Sequence, residues 1–206
     1  MMNTEITPQQ KLENIIRSLR EKRSVMVSGR EDIAMTLRAH PTVFFLEEGR
    51  ASLRLKSNGY IIADFTAPAV LGLELLCGHE PDTTVAIQDS ARLIQVLSSD
   101  LAAEIELSGM WHDVFSILAD NARHVRDNLA ISAFGSNYHI VRHHLLALSN
   151  GDGGLLKQES FHRYISERST VSRSTLYKVV RSLQAGQYIT MERGKLIELR
   201  HLPKNY

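Results

Sequence analysis

The sequence predicts an α+β fold in three parts: an N-terminal antiparallel β-barrel or jelly roll, one long helix, and a C-terminal winged helix-turn-helix. Three patterns lead there. Short apolar runs of strand length follow one another between Val25 and Leu97, separated by turn residues. Apolar residues then recur from Trp111 to Leu129 at separations of 4, 3, 4, 3 and 4. Beyond Ser160, two short helical patterns run into a hairpin pattern.

The bulk properties fit this plan. A chain of 206 residues suits one large domain or two small ones. It is 43% hydrophobic and 23% charged, as soluble globular proteins are. No apolar run reaches the roughly 18 residues that suggest a membrane span. The first residues, MMNTEITPQQKLENIIRSLREKR, lack the apolar segment of a secretory signal. The expectation is a cytoplasmic protein that does not enter a membrane. Cys77 is the single cysteine, expected to be a half-buried reduced thiol, with a redox sensor as the competing reading. The net charge of +1 conceals an asymmetry: residues 1–133 carry −5 and residues 134–206 carry +6. A basic tail behind an acidic front points to an anionic partner for the tail, and chance clustering is the alternative.

The elements follow in order. Residues 9–23 place Leu12, Ile15, Ile16 and Leu19 on one stripe of an amphipathic helix. The runs SVMVSG, TVFFLEEG, ASLRLKSNG, YIIADF, AVLGLELLCG, TTVAIQDS and ARLIQVL predict seven or eight short strands, with turns at Ser57-Asn58-Gly59 and near Gly49. SDLAAEIELS predicts a short helix capped by Ser99 or Asp100 and broken by Gly109. The long helix runs from about Trp111 to Ile131. Its seam of Trp111, Phe115, Leu118, Ala122, Val125 and Leu129 has a/d heptad spacing and suits self-association into a homodimer. The same helix can also pack on its own barrel through Val114 and Ile117, and the two uses are compatible. Phe134-Gly135-Ser136-Asn137 reads as a hinge, followed by a helix over 138–149 and a polar loop at Asn150-Gly151-Asp152-Gly153-Gly154. The division expected is 1–109 for the barrel with its leading helix, 110–133 for the long helix, and 134–206 for the tail domain.

In the tail, Ser160 is expected to cap a helix whose stripe is Phe161, Tyr164 and Ile165. Ser172 is expected to cap the next helix. That helix puts Leu176, Val179, Val180 and Leu183 on one face and Arg173, Ser174, Tyr177, Lys178 and Arg181 on the other. Strands at 188–191 and 196–199 flank a Glu192-Arg193-Gly194-Lys195 turn. The tight turn between helices, the polar second helix and the hairpin make a winged helix, the arrangement that places a helix in a DNA groove.

The stretch S-R-S-T-L-Y-K-V-V-R-S-L-Q-A-G-Q-Y-I resembles the corresponding motif of the Crp/Fnr superfamily of transcription regulators, and the order of elements matches over nearly the whole chain. The tail Y-I-T-M-E-R-G-K-L-I-E-L-R-H-L-P-K-N-Y is especially similar to the IprA/YaiV subgroup (inhibitor of hydrogen peroxide resistance), bacterial Crp-like proteins tied to oxidative stress. The resemblance implies a cyclic-nucleotide-binding-like barrel, a dimerisation helix and double-stranded DNA as partner, with RNA polymerase a further candidate. It puts Arg173 where the family meets a guanine, whose two acceptors suit a bidentate arginine. Ser174 stands where an acidic residue is common, and Lys178 where arginine is common; with these two, the base contacts expected are Arg173, Ser174 and Lys178. Ser172, Thr175, Arg181, Arg193 and Lys195 are expected at phosphates, which position without specifying.

The effector pocket departs from the family. Its first segment reads Val70-Leu71-Gly72-Leu73-Glu74, and its second reads Pro81-Asp82-Thr83-Thr84. Gly72, Glu74, Asp82, Thr83 and Thr84 thus form a degenerate pocket with an acid where the phosphate-binding arginine belongs. The expectation is no response to cAMP, because a bound phosphate would meet like charge. Nothing points to an enzyme. There is no G-x-S-x-G, phosphate loop or paired-carboxylate motif, and His139, His143 and His144 lack an evident third ligand type, so no metal and no cofactor are expected. Two alternatives stay open: a protein-interaction module on the same fold, and a sensor of haem or another small ligand using His79 or Cys77.

Overall fold

The computed structural model describes residues 7–19, 22–149 and 160–204. The chain divides into two compact units, 1–125 and 126–206. The expected Asn150–Gly154 loop lies outside the described residues.

In the first unit, α1 spans Pro8–Ser18. Thr7 and Gln10 start it with a reciprocal capping box, and proline sits in its first turn, where a missing N–H costs nothing. Leu12 and Ile16 are fully buried. The helix is shorter than the 9–23 predicted. Leu19 caps it, and Lys22 and Arg23 already belong to strand β1, opposite Val96 and Gln95.

Eight antiparallel strands follow: β1 (Lys22–Ser28), β2 (Glu31–Ala34), β3 (Thr36–Leu37), β4 (His40–Leu55), β5 (Ile61–Thr66), β6 (Ala69–Leu71), β7 (Thr83–Ile87) and β8 (Ser90–Leu97). They form one curled sheet ordered β1-β8-β4-β7-β2, in which β3, β5 and β6 also pair with β4. Between β6 and β7 lies a 3-10 helix, Leu73–Cys77. The AVLGLELLCG run is therefore a three-residue strand and this helix, not one strand.

The long β4 organises the sheet. Its first half pairs with β8 and β6, its second with β5 and β7. The register shifts between Leu46 and Glu48, and Gly49 has φ +85°. Gly49 was expected in a turn. It lies instead inside β4, where the strand changes partners. A side chain there would put its Cβ 2.2 Å from the Ser90 carbonyl oxygen, so only glycine admits the crossing.

Both faces of β4 are buried, which explains the unbroken apolar run TVFFL. Phe44 and Leu46 join Leu53, Leu71, Val85 and Leu93 inside the curl. Val43 and Phe45 face the other way, onto α1 and two further helices. These are α2 (Ser98–Ser108) and α3 (Trp111–Phe134). The N-cap of α2 is Leu97 without a side-chain cap, not Ser99 or Asp100. Sheet pairing carries β8 to Leu97 and the helix starts at the next residue. Gly109 ends α2 in the left-handed conformation, as a helix-stopping glycine does. Val114 and Ile117 of α3 are buried with Val43 and Phe45. Asn121 Nδ2 donates to the Val70 carbonyl (2.9 Å) and His124 Nε2 lies 2.8 Å from the Asp64 carbonyl.

The second unit contains α4 (Asn137–Ser149), α5 (Phe161–Arg168), α6 (Arg173–Ala185) and the hairpin β9 (Ile189–Glu192) with β10 (Lys195–Leu199). Its core gathers Val141, Leu145, Phe161, Ile165, Leu176 and Leu183. Tyr138 Oη and Arg142 Nε both donate to the Pro203 carbonyl, at 2.6 and 3.1 Å, and pin the C-terminal segment to α4.

Replacing Gly49 by alanine forces a Cβ into backbone at a positive φ. The expected cost is about 3 kcal/mol or more, beyond the ordinary penalty for a strained φ alone. Urea denaturation of Gly49→Ala measures it, and an unchanged midpoint would contradict this account of the bend.

Candidate nucleic-acid interface

The site grows from the two-sidedness of α6. Leu176, Val180 and Leu183 are buried against α4 and α5, and Val179 is half-buried. A period of 3.6 residues then leaves Arg173, Ser174, Tyr177, Lys178 and Arg181 outside, and all five are exposed. Ser172 caps the helix as expected: its Oγ accepts from the Thr175 amide at 3.2 Å. The same Oγ lies 3.0 Å from Ser174 Oγ and 2.9 Å from Thr175 Oγ1. The three hydroxyls form one cluster at the start of the helix. Thr175 is half-buried, so the reach expected of it is partly taken up by the cap.

The hairpin turn has φ +49° at Arg193 and +79° at Gly194, two consecutive left-handed residues as in a type I′ turn. The Phe161 amide donates to the Gly194 carbonyl at 3.0 Å and ties this turn to the start of α5. Arg193 is exposed and Lys195 half-buried. Among the described residues, no carboxylate lies within salt-bridge distance of Arg173, Lys178, Arg181, Arg193 or Lys195. Cations with no neutralising partner among the described residues, on one helix and one turn, raise the local positive potential.

Comparison with known proteins agrees with this geometry. Residues 137–204 match a family described as winged helix-turn-helix DNA binding. The global regulator CLP of Xanthomonas campestris superposes with a TM-score of 0.71 over 93% of this chain and 98% of that one, at 13% identity. The Crp-family transcriptional regulator TTHB099 of Thermus thermophilus superposes with a TM-score of 0.63 over 85% and 91%, at 21% identity. In sequence, the inhibitor of hydrogen peroxide resistance of Salmonella typhimurium is 27% identical over 183 residues, 87% of each chain. Its namesake in Escherichia coli K12 is 29% identical over 167 residues, 79% of each. The chain has the fold of the Crp/Fnr transcription regulators, and its residues 137–204 form a winged helix-turn-helix DNA-binding domain.

Of the residues expected at the effector pocket, Glu74 lies in the 3-10 helix. Gly72 caps it with φ +87°. Glu74 is partly buried, and burial pushes its carboxyl above the usual range; its own backbone hydrogen bond opposes the shift, Asp82 adds to it, and His79 opposes it weakly. Asp82 is exposed. Thr83 is buried with its hydroxyl 3.2 Å from the Met35 sulfur, and Thr84 is half-buried within β7. Glu74 and Asp82 thus lie close enough to repel each other. Cys77 is exposed, not half-buried as expected, because it ends the 3-10 helix ahead of the left-handed Gly78.

Two of the α4 histidines stay together, His143 and His144 with ring centres 5.2 Å apart, and His139 is engaged elsewhere. His139 Nδ1 is 2.8 Å from Ser136 Oγ at the helix start, and His144 is buried with its ring against Tyr164. Among the described residues, no group of three or more His, Cys, Asp or Glu side chains is placed to hold a metal.

Two contacts were missed in the sequence, the first an i,i+4 pair on one helix and the second a pair across two helices. Arg168 is only 4% exposed. Its guanidinium lies 3.9 Å from the centre of the Tyr164 ring and donates to the Tyr164 carbonyl, while its own carbonyl accepts from Ser132 Oγ (3.0 Å) near the end of α3. His162 of α5 and Tyr177 of α6 face each other with ring centres 4.1 Å apart. No spacing rule links positions on two different helices.

Burial lowers the basicity of His162. The folded protein therefore binds fewer protons there than the unfolded chain as the pH drops below about 6.5. The expected outcome is stability that falls on acidification through that region, with the fall reduced in His162→Phe; denaturation midpoints from pH 8 to 5 test it. Glu74 behaves oppositely. Its charge is unfavourable in the fold and fades as it takes up a proton, so Glu74→Gln should raise the melting temperature more at pH 8 than at pH 5.

Proposed function

We propose that the chain is a homodimeric, sequence-specific transcription regulator, not an enzyme, that binds an inverted-repeat operator in double-stranded DNA. The observation that carries this reading is the exposed face of α6, which holds Arg173, Ser174, Lys178 and Arg181 outside the core, with Arg193 also exposed on the wing. Arg173 is assigned to a guanine edge, Ser174 and Lys178 to neighbouring base edges. Ser172, Thr175, Arg181, Arg193 and Lys195 are assigned to phosphates. The names of the relatives from Salmonella and Escherichia support a role in the response to hydrogen peroxide.

Dimerisation is assigned to α3. Phe115 is 67% exposed, and Trp111 and Leu129 are each 39% exposed, an unusual outlay of large apolar surface on one helix. Ala122 is exposed beside them, while Leu118 and Val125 are half-buried on the cores of their own unit. Val114 and Ile117 face the sheet, so the helix can serve both uses. A dimer carries two reading helices and fits half-sites about 34 Å apart. RNA polymerase is the further partner proposed for such a regulator.

The barrel is assigned no cyclic-nucleotide response. Glu74 and Asp82 supply like charge where a phosphate would need a cation. Isothermal titration with cAMP should show no binding, and micromolar binding would overturn this part.

Selection of random duplexes by the purified protein, followed by titration with salt, tests the reading. A selected inverted repeat and a steep negative dependence of affinity on salt are expected. Arg173→Ala should cost about 1–3 kcal/mol and relax preference at one base pair per half-site. Arg181→Ala should weaken every sequence alike and reduce the salt slope by about 1. Phe115→Glu should yield a monomer in sedimentation equilibrium. Salt-insensitive or absent DNA binding, with a protein partner recovered instead, would favour an interaction module.

A further inference from the structure

We propose that Tyr177 is a specificity-determining residue that packs its ring on a thymine methyl group in the major groove, and that His162 is the positioning residue that holds it there. The proposal rests on the DNA-reading function assigned to α6. Tyr177 is 57% exposed, although an aromatic side chain on a polar helical face gains nothing from water. It follows Arg173 by four residues and Ser174 by three, and it precedes Lys178, so it shares the face given to base contacts. That face offers few other apolar groups, and thymine is the base that presents an apolar group in the major groove.

Tyr177 is also held from behind. The His162 ring lies 4.1 Å away, tilted by 39°, on the neighbouring helix. His162 is half-buried, and its Nδ1 is sealed from solvent with no hydrogen-bond partner among the described residues. A ring in that setting acts as an apolar wall. It restricts the tyrosine rotamers before DNA arrives, which lowers the ordering cost of a contact. The start of α5 that carries His162 is anchored in turn by the Phe161 amide on the Gly194 carbonyl of the wing.

The test uses the full-length protein and its selected operator, with deoxyuridine replacing thymidine at each position in turn. This deletes a methyl group and leaves base pairing intact. Wild type should lose about four-fold in affinity at one position per half-site, the worth of burying one methyl group. Tyr177→Ala should lose the distinction, and Tyr177→Phe should keep it. His162→Ala should weaken it, and His162→Phe should restore it, with the salt slope unchanged throughout. Thymine and uracil distinguished equally well by Tyr177→Ala would overturn the proposal while leaving DNA reading intact. So would an operator insensitive to uracil at every position. Failure of wild type to bind any duplex would overturn the DNA-reading function itself, and this inference with it.

Discussion

Burial of Leu176, Val180 and Leu183 decides which side of α6 meets solvent, and the rest of the interface depends on that. Each such side chain gains about 1.5–3 kcal/mol on leaving water, far more than an exposed arginine loses by staying in it. Once those three are inside, the helical period leaves no freedom. Arg173, Ser174, Tyr177 and Lys178 must lie outside together. The Ser172 cap fixes where the helix begins, and therefore which residues fall in its first turn, the turn proposed to enter a groove. The wing adds its charges through a turn held by one backbone hydrogen bond to α5.

The barrel follows a different constraint. One strand, β4, holds most of the sheet, and it changes partners at a glycine that cannot carry a side chain. Burial on both faces of its first half joins the inner core to the helices α1, α2 and α3. The fold is kept while the charge at the 3-10 helix is acidic. A sheet stabilised by apolar packing does not need its ligand cations, so the scaffold and the effector chemistry can part company.

The order of elements was legible in the sequence because each carries its own period. The stripe of α6, the turn at Arg193-Gly194 and the alternation of Ala51, Leu53 and Leu55 are local signals. What escaped has a non-local cause. Gly49 looks like a turn residue because a positive φ reads the same in a hairpin and in a strand bend; only its approach to Ser90 tells them apart. Lys22 and Arg23 continue a helical pattern, but pairing with β8 claims them. Cys77 was expected half-buried from composition alone, and the short helix before Gly78 leaves it exposed. At the interface the cations and the cap were legible. The His162–Tyr177 pair was not, since it depends on how two helices pack, and the i,i+4 spacing of Tyr164 and Arg168 did not by itself signal that an arginine is buried there.

The central claim is that two copies of α6 read one duplex. Hydroxyl-radical footprinting on a selected operator tests it most directly. The account predicts two protected patches per strand, related by two-fold symmetry and centred about one helical turn apart, roughly 34 Å. A single asymmetric patch, or uniform protection with no register, would contradict it.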